Sequence, residues 1–133
     1  MPYWRLFYHI VWATHERLPL VLPAWEIRLY AYLKQQAPRW QARTYAINGM
    51  PDHIHLAISV APSVTLSDVI ARLKGGSAHF VNYEIKPESH LMWQNEYSIH
   101  SVSERALPNV IAYIRNQKQH HTEHTTIPGL EKW

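Results

Sequence analysis

The segment that most constrains the fold is residues 51–58, in which histidine and aliphatic side chains alternate. Successive side chains of a β-strand point to opposite faces. A strand here places His53 and His55 on one face and three aliphatic side chains on the buried face, namely Ile54, Leu56 and Ile58. Residues 48–52 contain the Asn, Gly and Pro that favour a tight turn, and residues 40–47 before them favour another strand. We therefore predict an antiparallel hairpin. The histidine pair is either a binding site for one ion or phosphate, or a coincidence of packing.

The remaining apolar pattern predicts the rest of the fold. The predicted elements are a strand over 3–13, a helix over 23–36, a strand over 40–47, the histidine strand, a helix over 66–83, a strand over 98–102 and a helix over 103–121. This order predicts an α+β, ferredoxin-like (RRM-like) fold, a β-α-β-β-α-β antiparallel sheet with an extra C-terminal helix. We expect a single domain over residues 1–133. Its last ten or so residues are expected to be a tail that is either mobile or docked on a partner.

Composition narrows the classes of function. The absence of cysteine excludes disulfides, thiolate metal ligands and a cysteine nucleophile. The net charge of +3 mildly favours a polyanionic partner, and the six Trp and eight Tyr can either fill the core or stack on unpaired bases. No apolar run approaches the ~20 residues of a membrane helix. The absence of cysteine also fits a reducing cytoplasm, which is the expected location.

The predicted last helix supplies the second group of candidate residues. Tyr113 and Gln117 are four residues apart and share one helix face. Together with His53 and His55, the amide oxygen of Gln117 makes a nitrogen and oxygen ligand set with open positions for substrate oxygens. A set without thiolate does not suit structural zinc and favours Mg²⁺ or Mn²⁺ beside phosphate. Taken alone, such a tyrosine is more commonly explained by packing of an amphipathic helix.

Tyr113 is the candidate nucleophile, because it would lie one helical turn from the metal. A phenol has a pKa near 10 and attacks poorly at neutral pH. A cation on the scissile phosphate offsets its negative charge and polarises the phosphorus. Attack would leave a covalent phosphotyrosine, which keeps the bond energy for a later joining step.

The predicted second helix carries candidate DNA contacts. Residues 74–77 contain two adjacent glycines, which cost about 1 kcal/mol each inside a helix relative to alanine. They allow close approach either of a nucleic-acid strand or of a packed neighbouring element. Arg72, Lys74 and Ser77 are the candidate DNA contacts, and the alternative for the two basic residues is a solvated helix face.

Five segments of the chain carry a family resemblance. They are residues 8–12 (YHIVW), 49–56 (GMPDHIHL), 73–77 (LKGGS), 93–97 (WQNEY) and 113–117 (YIRNQ). In this order and spacing the chain resembles the single-tyrosine HUH transposases of the IS200/IS605 type. The resemblance implies cleavage and rejoining of single-stranded DNA at hairpin-marked element ends through a 5′-phosphotyrosine. It implies that His53, His55 and Gln117 bind a divalent metal and that Tyr113 attacks. It also implies a homodimer whose tyrosine helix can complete the partner's histidine site, and a prokaryotic cytoplasmic protein that lies at the nucleoid when bound to DNA. His79 stands where an arginine is more usual, which puts one DNA contact in question.

Three alternatives stay open from the sequence. One is a relative of the same chemistry that processes chromosomal repeats and no longer mobilises an element. Another is a non-catalytic, ferredoxin-like binder of single-stranded nucleic acid with structural histidines. The third is a metal-dependent phosphodiesterase that uses water, with Tyr113 only packed.

Overall fold

A single antiparallel sheet organises the chain in the computed structural model, which describes residues 4–131. Within that range the four strands are β1 (Phe7–Ala13), β2 (Ala42–Met50), β3 (His53–Val60) and β4 (Ser98–Val102). The α-helices are α1 (Glu26–Gln36), α2 (Leu66–Phe80), α3 (Leu107–Arg115), α4 (Gln117–Glu123) and α5 (Pro128–Glu131). The spatial strand order is β2-β3-β1-β4 with antiparallel neighbours, so the predicted ferredoxin-like fold is confirmed.

The two faces of the sheet carry different side chains because residues alternate along each strand. One face packs beneath α1 and α2 and forms the main core, which includes Ile10, Trp12, Leu29, Leu33, Ile54, Leu56, Ile58, Ile70 and Leu73. The opposite face forms a smaller apolar cluster with α3, made of Phe7, Ala46, Ala57, Leu107, Val110 and Ile114. The histidines of β3 alternate with the main-core residues and therefore lie on the α3 side.

Most predicted ends differ from the observed ones by a few residues. Tyr3, where the first strand was predicted to begin, lies outside the described residues, and β1 begins at Phe7. The prediction ended the second strand at Ile47, but β2 continues to Met50, because Asn48 to Met50 still pair with β3. The hairpin turn is therefore only two residues long. The predicted bounds of β4 match, and α2 ends at Phe80, where a π-helical turn, Val81–Ile85, follows.

The single last helix predicted over residues 103–121 is wrong. Asn116 departs from helical geometry (φ −100°, ψ 22°) and separates α3 from α4. The side-chain amide of Asn48 donates to the carbonyl of Arg115 at 3.0 Å, which satisfies a carbonyl that would otherwise be left without a partner where α3 ends. After α4 the chain turns through His124 in the left-handed region (φ 57°) and folds back as α5. The predicted tail thus packs on its own chain as far as Glu131, and residues 132–133 lie outside the described range.

The two glycines of α2 have different surroundings. A Cβ on Gly76 would lie 2.8 Å from the hydroxyl of Tyr32 on α1, so Gly76 permits close packing between the two helices. A Cβ on Gly75 would meet nothing within 4 Å. Close packing thus accounts for Gly76 and leaves Gly75 without a packing reason. Among residues 4–131, no helix combines the length and apolar character needed to cross a membrane.

Candidate active site

Strand β3 holds the first imidazole in a fixed orientation. His53 is 1% exposed, and its Nδ1 lies 2.8 Å from Oδ1 of Asp52, at the hairpin turn. Asp52 in turn accepts a hydrogen bond from Arg17 at 3.0 Å. An ionised carboxylate only accepts hydrogen bonds, so Nδ1 of His53 is the donor and Nε2 faces the site.

The second imidazole is supported from behind by a third histidine. His55 is fully buried, and its Nδ1 lies 2.8 Å from Nε2 of His9 on β1. Burial, with His55 nearby, lowers the pKa of His9 to about 3, so His9 is neutral at neutral pH. The structure places it behind His55, where the contact turns Nε2 of His55 toward the site.

Helices α3 and α4 bring the tyrosine and the glutamine to the same place. Gln117 is fully buried, and its Oε1 lies 3.3 Å from Nε2 of His53. Tyr113 is 5% exposed, and its ring centroid is 6.2 Å from that of His55. The four residues singled out from the sequence therefore converge, although the strand and the helices are far apart in the chain.

Two residues of the site were missed in the sequence. Nε2 of His121 lies 3.1 Å from Oε1 of Gln117 and 3.1 Å from Oε1 of Glu131. The spacing of four residues after Gln117 was an available signal for His121, because it predicts the same helix face. Glu131 gave no such signal, since it follows Gln117 by 14 residues in a polar tail.

Glu131 contacts every side chain of the predicted site. Its Oε1 lies 3.1 Å from Nε2 of His55 and 3.3 Å from Nε2 of His53. Its Oε2 accepts hydrogen bonds from the Gln117 amide, at 2.9 Å, and from the Tyr113 hydroxyl. One carboxylate thus joins the histidine pair to the candidate nucleophile.

The charges of the site follow from burial and these contacts. Burial lowers the pKa of His55. Burial also opposes protonation of His53, but Asp52 and Glu131 outweigh it and raise the pKa of His53. Burial alone would raise the pKa of Glu131, yet hydrogen bonds from the histidines and Tyr113 hold it well below its usual range. Burial and Glu131 raise the pKa of Tyr113 to about 12, so the tyrosine is a neutral phenol at neutral pH and needs activation to attack.

The donor set fits a divalent cation. Donor atoms of His53, His55 and Glu131 all lie within 4.8 Å of one another, and the Gln117 oxygen is adjacent to them. Imidazole nitrogens with carboxylate and amide oxygens, without thiolate, suit Mn²⁺ or Mg²⁺ better than a structural zinc ion.

The candidate DNA contacts do not join this site, because α2 lies on the opposite face of the sheet. The guanidinium of Arg72 lies 5.0 Å from the ring centroid of Trp40. Lys74 donates to two backbone carbonyls, those of Gln94 at 2.6 Å and Glu96 at 3.2 Å. Ser77 is fully buried between the Lys74 carbonyl and the indole N–H of Trp93. The two basic side chains reach the surface of α2, whereas Ser77 supports its interior.

Comparison with known proteins agrees with this geometry. Residues 2–117 match the family described as IS200-like transposases. The ISDra2 transposase TnpA of Deinococcus radiodurans is 29% identical over 119 residues, which cover 86% of this chain and 85% of that protein. A crystal structure from Deinococcus radiodurans R1, described as that of a transposase, has a TM-score of 0.66 at 28% identity and covers 88% of this chain and 95% of its own. The REP-associated tyrosine transposase bound to a REP hairpin shares the fold, with a TM-score of 0.67 at 14% identity over 91% of this chain and 74% of that one. The chain belongs to the family of IS200-like transposases.

Proposed function

We propose that this transposase cleaves and rejoins single-stranded DNA at hairpin-marked element ends through a 5′-phosphotyrosine intermediate. The observation that carries the proposal is the convergence of Tyr113 and Gln117 on the buried pair His53 and His55. The family supports a DNA-cleaving enzyme, and a hairpin is the ligand named for the REP-associated structural relative.

The proposed chemistry assigns a role to each side chain. The Tyr113 oxygen attacks phosphorus, an oxygen–phosphorus bond forms, and the bond to the 3′ oxygen breaks. The tyrosine proton is lost and the 3′ oxygen gains one, so a free 3′-hydroxyl leaves while the 5′ phosphate stays on Tyr113. His53, His55 and Gln117 would hold Mg²⁺ or Mn²⁺, which supplies charge neutralisation at the scissile phosphate. Attack of another 3′-hydroxyl on the phosphotyrosine reverses these steps and joins the strands without ATP.

The proposed assembly is a homodimer, as the family resemblance implies. Within residues 4–131 of one chain, Tyr113 already lies beside the histidines of the same chain. This supports an arrangement in cis in the DNA-free protein. Attack in trans, in which the tyrosine helix of one chain completes the histidine site of the other, is the alternative that the family resemblance implies.

The test is covalent capture of DNA. The protein is incubated with a single-stranded hairpin and Mn²⁺ or Mg²⁺, and the products are separated on a denaturing gel. The wild type should give a protein–DNA adduct that chelation prevents. Tyr113→Phe should lose the adduct and still bind the hairpin, because the ring and its packing remain.

The matched control is Tyr83→Phe, which removes the same hydroxyl from a side chain that is 66% exposed on the turn after α2. It should form the adduct normally. An adduct that survives Tyr113→Phe would contradict the assignment of the nucleophile. Cleavage without any adduct would favour attack by water instead.

A further inference from the structure

The C-terminal segment enters the site from outside the region that matches the family. The family match ends at residue 117, and the chain continues through α4 and back over the site as α5. The backbone N–H of Ile127 donates to the Tyr113 hydroxyl at 2.9 Å, and the Glu131 side chain is only 12% exposed. These contacts attach the segment to the nucleophile and to the histidines at once.

The position of one Glu131 oxygen is that of a metal ligand. Oε1 lies 3.1 Å from Nε2 of His55 and 3.3 Å from Nε2 of His53. Neighbouring ligands on an octahedral ion with bonds of about 2.1 Å are about 3.0 Å apart. The oxygen therefore has the spacing of an adjacent ligand to both imidazoles, without a rearrangement of the backbone.

The charge of the site points to the same role. The ligands proposed so far, His53, His55 and Gln117, are all neutral when they bind a metal. A divalent cation in a largely dehydrated site gains strongly from an anionic oxygen ligand. Among the described residues, Glu131 places a carboxylate oxygen against both histidines. Asp52 contacts His53 from behind, at Nδ1, and so does not face the metal position.

We propose that Glu131 is a fourth protein ligand of the metal, supplied by the C-terminal segment beyond the family match. The inference rests on the proposed function, because that function requires the metal. Octahedral coordination by His53, His55, Gln117 and Glu131 leaves two positions for phosphate or water oxygens. The second carboxylate oxygen stays on the Tyr113 hydroxyl, so the ligand also positions the nucleophile.

The test is Mn²⁺ binding to the full chain without DNA, measured from the electron paramagnetic resonance signal of free Mn²⁺. Glu131→Gln keeps the shape of the side chain and removes its charge, and we expect at least a tenfold loss of affinity. Glu123→Gln, which makes the same change at the exposed end of α4, should bind as the wild type does.

Two further variants separate the possible failures. Glu131→Asp retains the carboxylate and should bind Mn²⁺ more tightly than Glu131→Gln does. If both variants lose the same amount of Mn²⁺ affinity, the loss is due to packing of the tail and the proposal is overturned. Unchanged binding by Glu131→Gln while His53→Ala loses binding would overturn the fourth ligand alone. Absence of Mn²⁺ binding by the wild type would overturn the metal site of the proposed function as well.

Discussion

Replacing Gly49 by alanine should damage the site through the backbone of the neighbouring strand. Gly49 lies on β2 opposite Ile54 of β3. An added Cβ would lie 2.2 Å from the carbonyl oxygen of His53 and 2.9 Å from the Cα of Ile54. Both atoms belong to the backbone, so no side-chain rotation can relieve the overlap. The two strands must separate locally at the residue that carries the first imidazole.

The expected cost follows from that overlap. Ordinary contact requires about 3.4 Å, so a gap of about 1.2 Å must open between strands that are usually 4.7–4.9 Å apart. Overpacking of this kind typically lowers the free energy of unfolding by about 1–3 kcal/mol. Replacing glycine by alanine also makes the unfolded chain less flexible, which raises the free energy of unfolding by about 0.4–1 kcal/mol. We therefore expect Gly49→Ala to lower the free energy of unfolding by roughly 1–2 kcal/mol and Tm by about 3–10 °C. Binding of Mn²⁺ should suffer as well, because a site tolerates displacements of only about 0.5 Å.

The assay is thermal unfolding followed by circular dichroism in the presence of a chelator, with Mn²⁺ binding measured separately. Gly75→Ala is the matched control, because it makes the same change on α2 with nothing within 4 Å. That variant should gain about 1 kcal/mol from helix propensity, and its Tm should rise by about 3–5 °C. If Gly49→Ala unfolds at or above the wild-type temperature and binds Mn²⁺ normally, the geometric argument is refuted.

Two other variants test the support of the site and the proposed DNA surface. Because the pKa of His9 falls to about 3 on folding, from 6.5, the unfolded chain takes up a proton first as the pH drops. The contribution of His9 to the free energy of unfolding is then complete above pH 6.5 and falls toward pH 3 by up to about 1.4 kcal/mol per pH unit. His9→Phe should therefore make the free energy of unfolding less dependent on pH, as measured by urea unfolding at pH 7 and pH 4.5. Parallel slopes for variant and wild type would contradict the buried neutral histidine. Arg72→Ala should weaken hairpin binding and reduce the salt slope of log K by about 1 in fluorescence anisotropy. Loss of the contact with Trp40 should lower Tm by only a few degrees. An unchanged salt slope would remove Arg72 from the DNA surface.

The sequence was sufficient where the determining pattern is local. Alternation over residues 51–58 predicts both the strand and the common face of His53 and His55, because side-chain direction in a strand depends only on position. The spacing of Tyr113 and Gln117 predicts a shared helix face for the same reason. Their convergence on the histidines also required the strand order of the ferredoxin-like fold, which the order of the elements predicted.

The parts that could not be predicted depend on contacts between distant residues. The break between α3 and α4 coincides with the contact of Asn48 with the Arg115 carbonyl, which are 67 positions apart. The return of the tail depends on Glu131 meeting His55 across 76 positions. Neither contact produces a periodic pattern in the sequence, because each depends on a single residue at one position. The sequence predicted a tail that is mobile or docked on a partner, whereas as far as Glu131 the tail lies on the candidate site of its own chain.

The division of the site between two regions has a thermodynamic consequence. The part of the chain that matches the family provides neutral ligands, and the only charge in direct contact with both imidazoles among the described residues comes from Glu131 in the tail. If the metal binds the carboxylate, then an ordered tail raises metal affinity, and bound metal stabilises the ordered tail by the same free energy. Tyr113 is part of this coupling, because its hydroxyl touches both Ile127 and Glu131. Metal binding and alignment of the nucleophile are then a single linked equilibrium, in which a segment outside the family match sets how often the site is ready for DNA.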